Sequence, residues 1–321
     1  MAYAIKHITR FRYEPEARES VMEVRMQPRS DAQQRCVTFS LEVNPQANIM
    51  SYQDYLGNTV HHFDVPGRQR QIQVTAHAIV EVNEPPPIEW GEIVNWEGLD
   101  ARVAAGDYWD MLLPSSYAKP TDLLHELERE LGIARRDTPI EMLLAINEGL
   151  NRAFEYAPNS TQVDSPIDDA LRSRRGVCQD FAHVMIALVR GLRIPCRYVS
   201  GYLYHADKKE KRTAEGATHA WVEAFLPDLG WVAFDPTSNL TGTERHIAIA
   251  LGRDYGDVPP TRGVYKGGGE SELSVLVTVT PAESPEPEDL RPATVIRRSA
   301  PYDPASAAAF QDQQQQQQQQ Q

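Results

Sequence analysis

The chain has 321 residues, 41% apolar and 24% charged, a balance that suits a soluble globular protein of about two domains. Its formal net charge of −13 argues against a nucleic-acid or anionic-membrane surface, since both want clustered Lys and Arg. No stretch approaches the ~18 apolar residues of a spanning helix, and the opening "MAYAIKHITRFRYE" lacks the apolar core of a secretory leader, so the expectation is a cytoplasmic protein that touches neither membrane nor nucleic acid.

From the first residue the pattern is that of strands. "YAIKHITRFRY" alternates through Tyr3 and Ile5, then through Ile8, Phe11 and Tyr13 after one slip. "CVTFSLEVNP", "GNTVHHFDVPG" and "RQIQVTAHAIVEV" alternate as well, with "DYLGN" as a hairpin connection, so residues 1–83 are expected to form an antiparallel β-rich domain. Three consecutive prolines in "NEPPPIEWGE" can continue neither ladder nor helix and place a linker at 84–100. The period then becomes helical. Thr121 caps "DLLHELERELG", which closes on Gly132, and Thr138 with Pro139 opens "PIEMLLAINEGLNRAFEY". "SPIDDALRSR" reads as a short helix. "CQDFAHVMIALVRGL" is apolar nearly all round, the pattern of a buried central helix. After Pro195 strands return in "CRYVSGYLYH", "HAWVEAFL" and "WVAFDP", with one more in "ELSVLVTVTP". Residues 101–281 are expected to form a second domain, and 282–321, ending in a glutamine tract, a disordered tail.

The three cysteines, Cys36, Cys178 and Cys196, form no C-x-x-C pair, so neither a disulfide framework nor a zinc ribbon is expected, and no metal. Cys178 stands apart because "RRGV" leads it directly into the buried helix. A thiol there sits beside unpaired N–H groups and the positive end of the helix dipole, which favour thiolate and can receive an oxyanion. Such a nucleophile needs a base, and the base needs an orienting group. His219 and Asp235, in "THAWVEAFLPDLGWVAFDPT", are the best candidates. They share a face only if the two strands pair in a register set by an odd-length loop. In that register Asp235 falls opposite Trp221 and diagonal to His219, within reach of an imidazole.

These stretches, with "FEYAPNSTQVDSPIDDALRSRRGVCQDFAHVMIALVRGLRIPCRYVSGYL" before them, resemble the transglutaminase-like superfamily, in its bacterial branch with a β-rich N-terminal domain. The resemblance covers most of residues 1–281. It implies an α+β fold: a papain/transglutaminase-like catalytic domain with a nucleophile helix packed on an antiparallel sheet. It also implies a Cys178–His219–Asp235 triad and acyl transfer through a thioester, to water or to an amine. Arg193 and Cys196 depart from the glycine and alanine that this family often has.

The expected activity is that of a cysteine protease or amidase on peptide or protein substrates, with hydrolysis favoured over amine transfer. The alternative is a catalytically silent peptide-binding module of the same fold. No cofactor is expected, and no acidic loop has a calcium-site pattern. Cys36 and Cys196 are expected to be packing residues, and His61, His62 and His77 surface or packing residues. His183, five residues past Cys178 on the helix, points away from the thiol. Asp168 and Asp169 read as solvated or helix-start charges and Asp180 as a helix-start charge, Trp221 and Trp231 as core with the lining of a substrate groove as the alternative, and Tyr156 and Gln179 as candidates for a second oxyanion donor.

Overall fold

Alternation builds the first six strands: β1 (Ala2–Ala17), β2 (Glu19–Val24), β3 (Gln34–Asn44), β4 (Met50–Gln53), β5 (Thr59–Val65) and β6 (Gln69–Val82). The computed structural model describes residues 1–84 and 95–284, apart from 107, 137, 159, 206–217, 228 and 268; the expected tail from 285 onward lies outside the described residues. The slip expected in β1 is absent. Inward positions continue through His7 and Thr9, both buried. His7 Nδ1 meets the Tyr202 hydroxyl at 2.7 Å, and its Nε2 meets Thr9 Oγ1 at 3.1 Å. Two polar residues fill a face that an apolar count alone reads as broken.

Helices follow: α1 (Trp96–Ala105), α2 (Asp122–Glu130) and α3 (Pro139–Ala153), then the short strand β7 (Glu155–Tyr156), α4 (Ile167–Ser173), β8 (Arg175–Gly176) and α5 (Cys178–Gly191). Helix α1 begins inside the segment expected to be linker, capped by the Asn95 side chain on the Gly98 N–H. Thr121 caps α2 and Thr138 caps α3, the latter in a reciprocal box with Glu141. Helix α5 ends on a Schellman turn: the Ile194 N–H reaches the Val189 carbonyl and the Arg193 N–H that of Arg190. Arg193 occupies the left-handed seat at φ 62°, where glycine is the unstrained choice.

The central sheet contains β9 (Cys196–Leu203), β10 (His219–Leu226), β11 (Gly230–Asp235), β12 (Leu240–Thr241) and β13 (His246–Gly252), ordered β12-β11-β10-β9-β13. The last strands, β14 (Thr261–Lys266) and β15 (Glu270–Pro281), return to the N-terminal region. There β14 pairs with β2 and β15 with β1, giving sheets ordered β14-β2-β5-β4 and β15-β1-β6-β3. Tyr13, Met22, Phe63, Ile72 and Val74 of these two sheets share one apolar cluster. The larger cluster surrounds α5, whose Val184, Met185, Ile186 and Val189 have no exposed surface, and it takes in Tyr3, Ile5 and Val80 of the first sheet. Each such side chain stabilises the fold by about 1.5–3 kcal/mol. The strongest burial in the chain therefore fixes the helix that begins at Cys178. Among the described residues no helix is long and apolar enough to cross a membrane.

Candidate active site

Strands β7 and β8 pair in parallel and deliver the chain to α5 through Val177, whose backbone is extended. The Val177 N–H donates to Asp180 Oδ2 at 2.8 Å, and the Thr161 hydroxyl donates to the same oxygen at 2.6 Å. Asp180 is therefore the structural first-turn charge expected of it; burial pushes its carboxyl up, while those two donors pull it back. A Cβ at Gly176 would lie 2.8 Å from Asp180 Cβ, so glycine there lets the carboxylate fold back over the helix start. Cys178 is half-buried as the first residue of α5. Its N–H belongs to the helix turn that has no intrahelical acceptor.

Strands β10 and β11 pair with Val222 opposite Phe234 and Leu226 opposite Gly230. The connection is three residues long, and Gly230 has φ 73°. This is the even-sum register that places two odd-numbered residues on one face, and it aligns Asp235 with Trp221. His219 Nε2 meets Asp235 Oδ2 at 2.8 Å, and both side chains are buried. Burial alone disfavours the imidazolium, but the Asp235 charge and hydrogen bond outweigh it and Cys178 adds to them, so the ring is held above its ordinary value. Burial would likewise raise Asp235, yet His219 and then His246 hold its carboxyl well below the usual range. His219 Nδ1 is buried without a fully formed hydrogen bond. It is the ring nitrogen not spent on Asp235, and the Cys178 side chain is among the groups that raise the ring's proton affinity. Such contacts are often loose in a resting site and tighten on substrate.

The sequence reading missed His246. It opens β13, and its Nε2 lies 3.3 Å from Asp235 Oδ2. A signal was present in "HIAIALG", a short run of apolar residues, and every residue of that strand is buried. One ligand-capable atom from each of His219, Asp235 and His246 lies within 4.8 Å of the others. Both ring nitrogens face the same carboxylate oxygen at hydrogen-bond distance, so a cation there would have to displace the ring protons.

Trp221 lies alongside His219 with ring centroids 6.1 Å apart and meets His246 edge-on at 5.0 Å. It can lie there because Gly201, opposite His219, has no side chain: a Cβ would sit 2.6 Å from the indole and 2.1 Å from the Ile247 carbonyl oxygen. Trp231 goes elsewhere, packing on Phe225 and Tyr108 beneath the Arg197 guanidinium. His183 is stacked on Tyr117 and accepts the Tyr255 N–H at 3.1 Å, a packing role. The Gln179 amide donates to the Val163 carbonyl at 2.9 Å, and Tyr156 lies on β7, opposite Gly176. Burial pushes the Cys36 and Cys196 thiols up to about 11.

Comparison with known proteins gives this geometry a context. Residues 127–236 match the transglutaminase-like superfamily and residues 3–81 the bacterial transglutaminase-like N-terminal region. An uncharacterized protein of Mycobacterium leprae is 34% identical over 277 residues, covering 86% of this chain and 97% of its own. A protein-glutamine gamma-glutamyltransferase of Pseudomonas aeruginosa is 32% identical over 123 residues, 36% of this chain and 18% of that enzyme. A structure from Cytophaga hutchinsonii, described as a candidate cysteine protease, superposes with a TM-score of 0.69 at 23% identity, covering 89% of this chain and 92% of the other. Sequence and fold agree: the chain belongs to the transglutaminase-like superfamily and carries that superfamily's bacterial N-terminal region.

Proposed function

We propose that the protein is a cysteine-dependent enzyme acting on amide bonds of peptides or proteins, with Cys178 as nucleophile, His219 as acid and base, and Asp235 as the group that orients the imidazole. The observation that carries this reading is the buried His219–Asp235 contact at 2.8 Å, with the Cys178 side chain among the groups that raise the ring's proton affinity. In the first half-reaction the Sγ proton passes to His219 and Sγ bonds to the substrate carbonyl carbon, whose oxygen takes the π electrons as an oxyanion. The C–N bond breaks and the leaving amine takes the His219 proton. In the second, His219 takes a proton from water, the new oxygen bonds to the carbonyl carbon, and the C–S bond breaks to release a carboxylic acid. In this reading a backbone N–H of the first turn of α5, which has no intrahelical acceptor, receives the developing oxyanion.

Hydrolysis is the favoured outcome. Cys178 is only half covered, so water has access, whereas amine transfer needs a site from which water is excluded. The test is to screen peptide amides and glutamine-containing peptides, following ammonia release together with incorporation of a labelled primary amine. The reading predicts ammonia or peptide release in excess of amine incorporation, with both abolished in Cys178→Ser. Incorporation in excess reverses the preference. Absence of turnover, together with a partner captured equally well by Cys178→Ser, favours the silent binding module.

A further inference from the structure

Asp235 is bonded on every side. Its Oδ1 accepts the backbone N–H groups of Thr237 and Ser238 at 3.0 and 3.3 Å. Its Oδ2 faces His219 at 2.8 Å and His246 at 3.3 Å. A carboxylate offers about four lone-pair sites, and four donors occupy them in a place where the side chain is 1% exposed. Two of those donors are the backbone of the turn that follows β11, and they fix Oδ1. On Oδ2 the second imidazole is the one donor besides His219 itself among the described residues, and it adds to the hold that the backbone has on the carboxylate plane.

The orientation of that second imidazole is itself determined. Thr243 Oγ1 accepts the Arg245 N–H at 3.3 Å and lies 3.0 Å from His246 Nδ1. Asp235 Oδ2 can only accept, so His246 Nε2 carries the proton that faces it, and the Thr243 hydroxyl, whose oxygen accepts the Arg245 N–H, is placed to donate to Nδ1. The strand beneath is held from outside the central sheet. β13 is an edge strand, and its free backbone groups are paired by two side-chain amides of the N-terminal region. Gln34 exchanges two hydrogen bonds with Ala248, at 2.7 and 2.8 Å, and Asn58 does the same with Leu251, both at 2.8 Å. Each amide acts as a one-residue neighbouring strand. The imidazole then reaches from β13 toward β11 on the sheet face that Gly201 leaves bare.

We infer that His246 is a positioning residue of the reaction: it holds the Asp235 carboxylate in the orientation that keeps His219 turned to Cys178. This rests on the functional reading above, and its test is arranged so that the two fail separately.

The experiment measures the rate of Cys178 alkylation by iodoacetamide across pH 4–10 on the full-length chain, alongside urea unfolding, for wild type, Asp235→Ala, His246→Gln and His246→Phe. The acid limb of the profile reports the coupled Cys178–His219 pair. His246→Phe keeps the ring volume but removes the donor. At pH 6 its rate should fall about 10-fold, the size of one lost hydrogen bond to a charged group, with the acid limb displaced upward. His246→Gln, which can still present an N–H to Oδ2, should stay within about 3-fold of wild type, as a retained donor requires. A role in packing alone changes the unfolding midpoint without moving the limb, and that result overturns the inference. So does a His246→Phe profile that matches wild type while Asp235→Ala is crippled; the functional reading then stands without His246. Wild-type Cys178 that reacts no faster than Cys36 overturns both. If His246→Phe does not fold, Thr243→Val removes the orienting hydroxyl and leaves the ring in place. It should move the limb in the same direction by less, and no movement overturns the inference.

Discussion

The buried histidines divide by the sign of what the fold does to them. Burial lowers His183 and His7 from 6.5 to about 4. A group whose folded value is depressed below its unfolded one in this way contributes stability fully above about 6.5, and that contribution shrinks as pH falls toward 4. His219 is raised instead, so its contribution is complete below 6.5 and is lost as pH climbs through its elevated value. Urea unfolding at pH 7 and pH 4.5 separates these terms for His183. Wild type should lose ~2 kcal/mol more between those pH values than His183→Gln, whose carbonyl can still accept the Tyr255 N–H; equal losses would remove His183 from the acid-sensitive groups. Cys178, His219 and Asp235 were legible in the sequence because each stands at the end of a strongly patterned element. His246 was not, because its contact with Asp235 joins two strands that are not neighbours in the sheet, and no local period encodes that.

Elements were legible where a side chain states its own role. Thr121, Thr138 and Glu141 announce the starts of α2 and α3 by capping chemistry alone. Helix α1 buries only Leu99, so it lacks the apolar stripe that a periodicity reading needs. The end of α5 carries a measurable strain. Arg193 holds a left-handed conformation at φ 62°, and Arg193→Gly should raise stability by about 1 kcal/mol while leaving Cys178 alkylation unchanged, as read by urea midpoint and labelling rate. The opposite is expected at Gly201. Gly201→Ala places a methyl against the Trp221 indole and the Ile247 carbonyl. Overpacking of this kind costs about 1–3 kcal/mol, and here it also pushes on the ring that lies beside both His219 and His246. Alkylation of Cys178 should slow along with the fall in stability; unaltered labelling would show that Trp221 yields without disturbing the imidazoles.

For the whole molecule, the N-terminal region and the transglutaminase-like core are tied together by pairings far apart in sequence. β15 runs antiparallel to β1 through most of its length, from Tyr3 opposite Pro281 to Glu14 opposite Glu270. The strand in "ELSVLVTVTP" was readable as a strand, yet its partner was not, since strand propensity carries no address. Gln34 and Asn58 were equally silent: nothing in their neighbourhoods signals that their amides pair with β13. Replacing both by alanine leaves the Ala248 N–H and both backbone groups of Leu251 without those partners, while the Ala248 carbonyl keeps the Arg29 N–H. Each buried group left unpaired costs about 1–3 kcal/mol, so the double variant should show a clearly lowered urea midpoint and slower Cys178 labelling. An unchanged midpoint would mean that water replaces both amides.

The central claim is that the fold activates one thiol of three through a buried imidazole and carboxylate. It is tested most directly by competitive alkylation of the native chain with limiting iodoacetamide at neutral pH, the label on each cysteine being counted by mass spectrometry. Cys178 should take the label far ahead of Cys36 and Cys196, whose thiols are raised to about 11 by burial, and His219→Asn should erase that lead. Equal labelling of the three in the folded wild-type protein, or a lead that survives His219→Asn, would contradict the account.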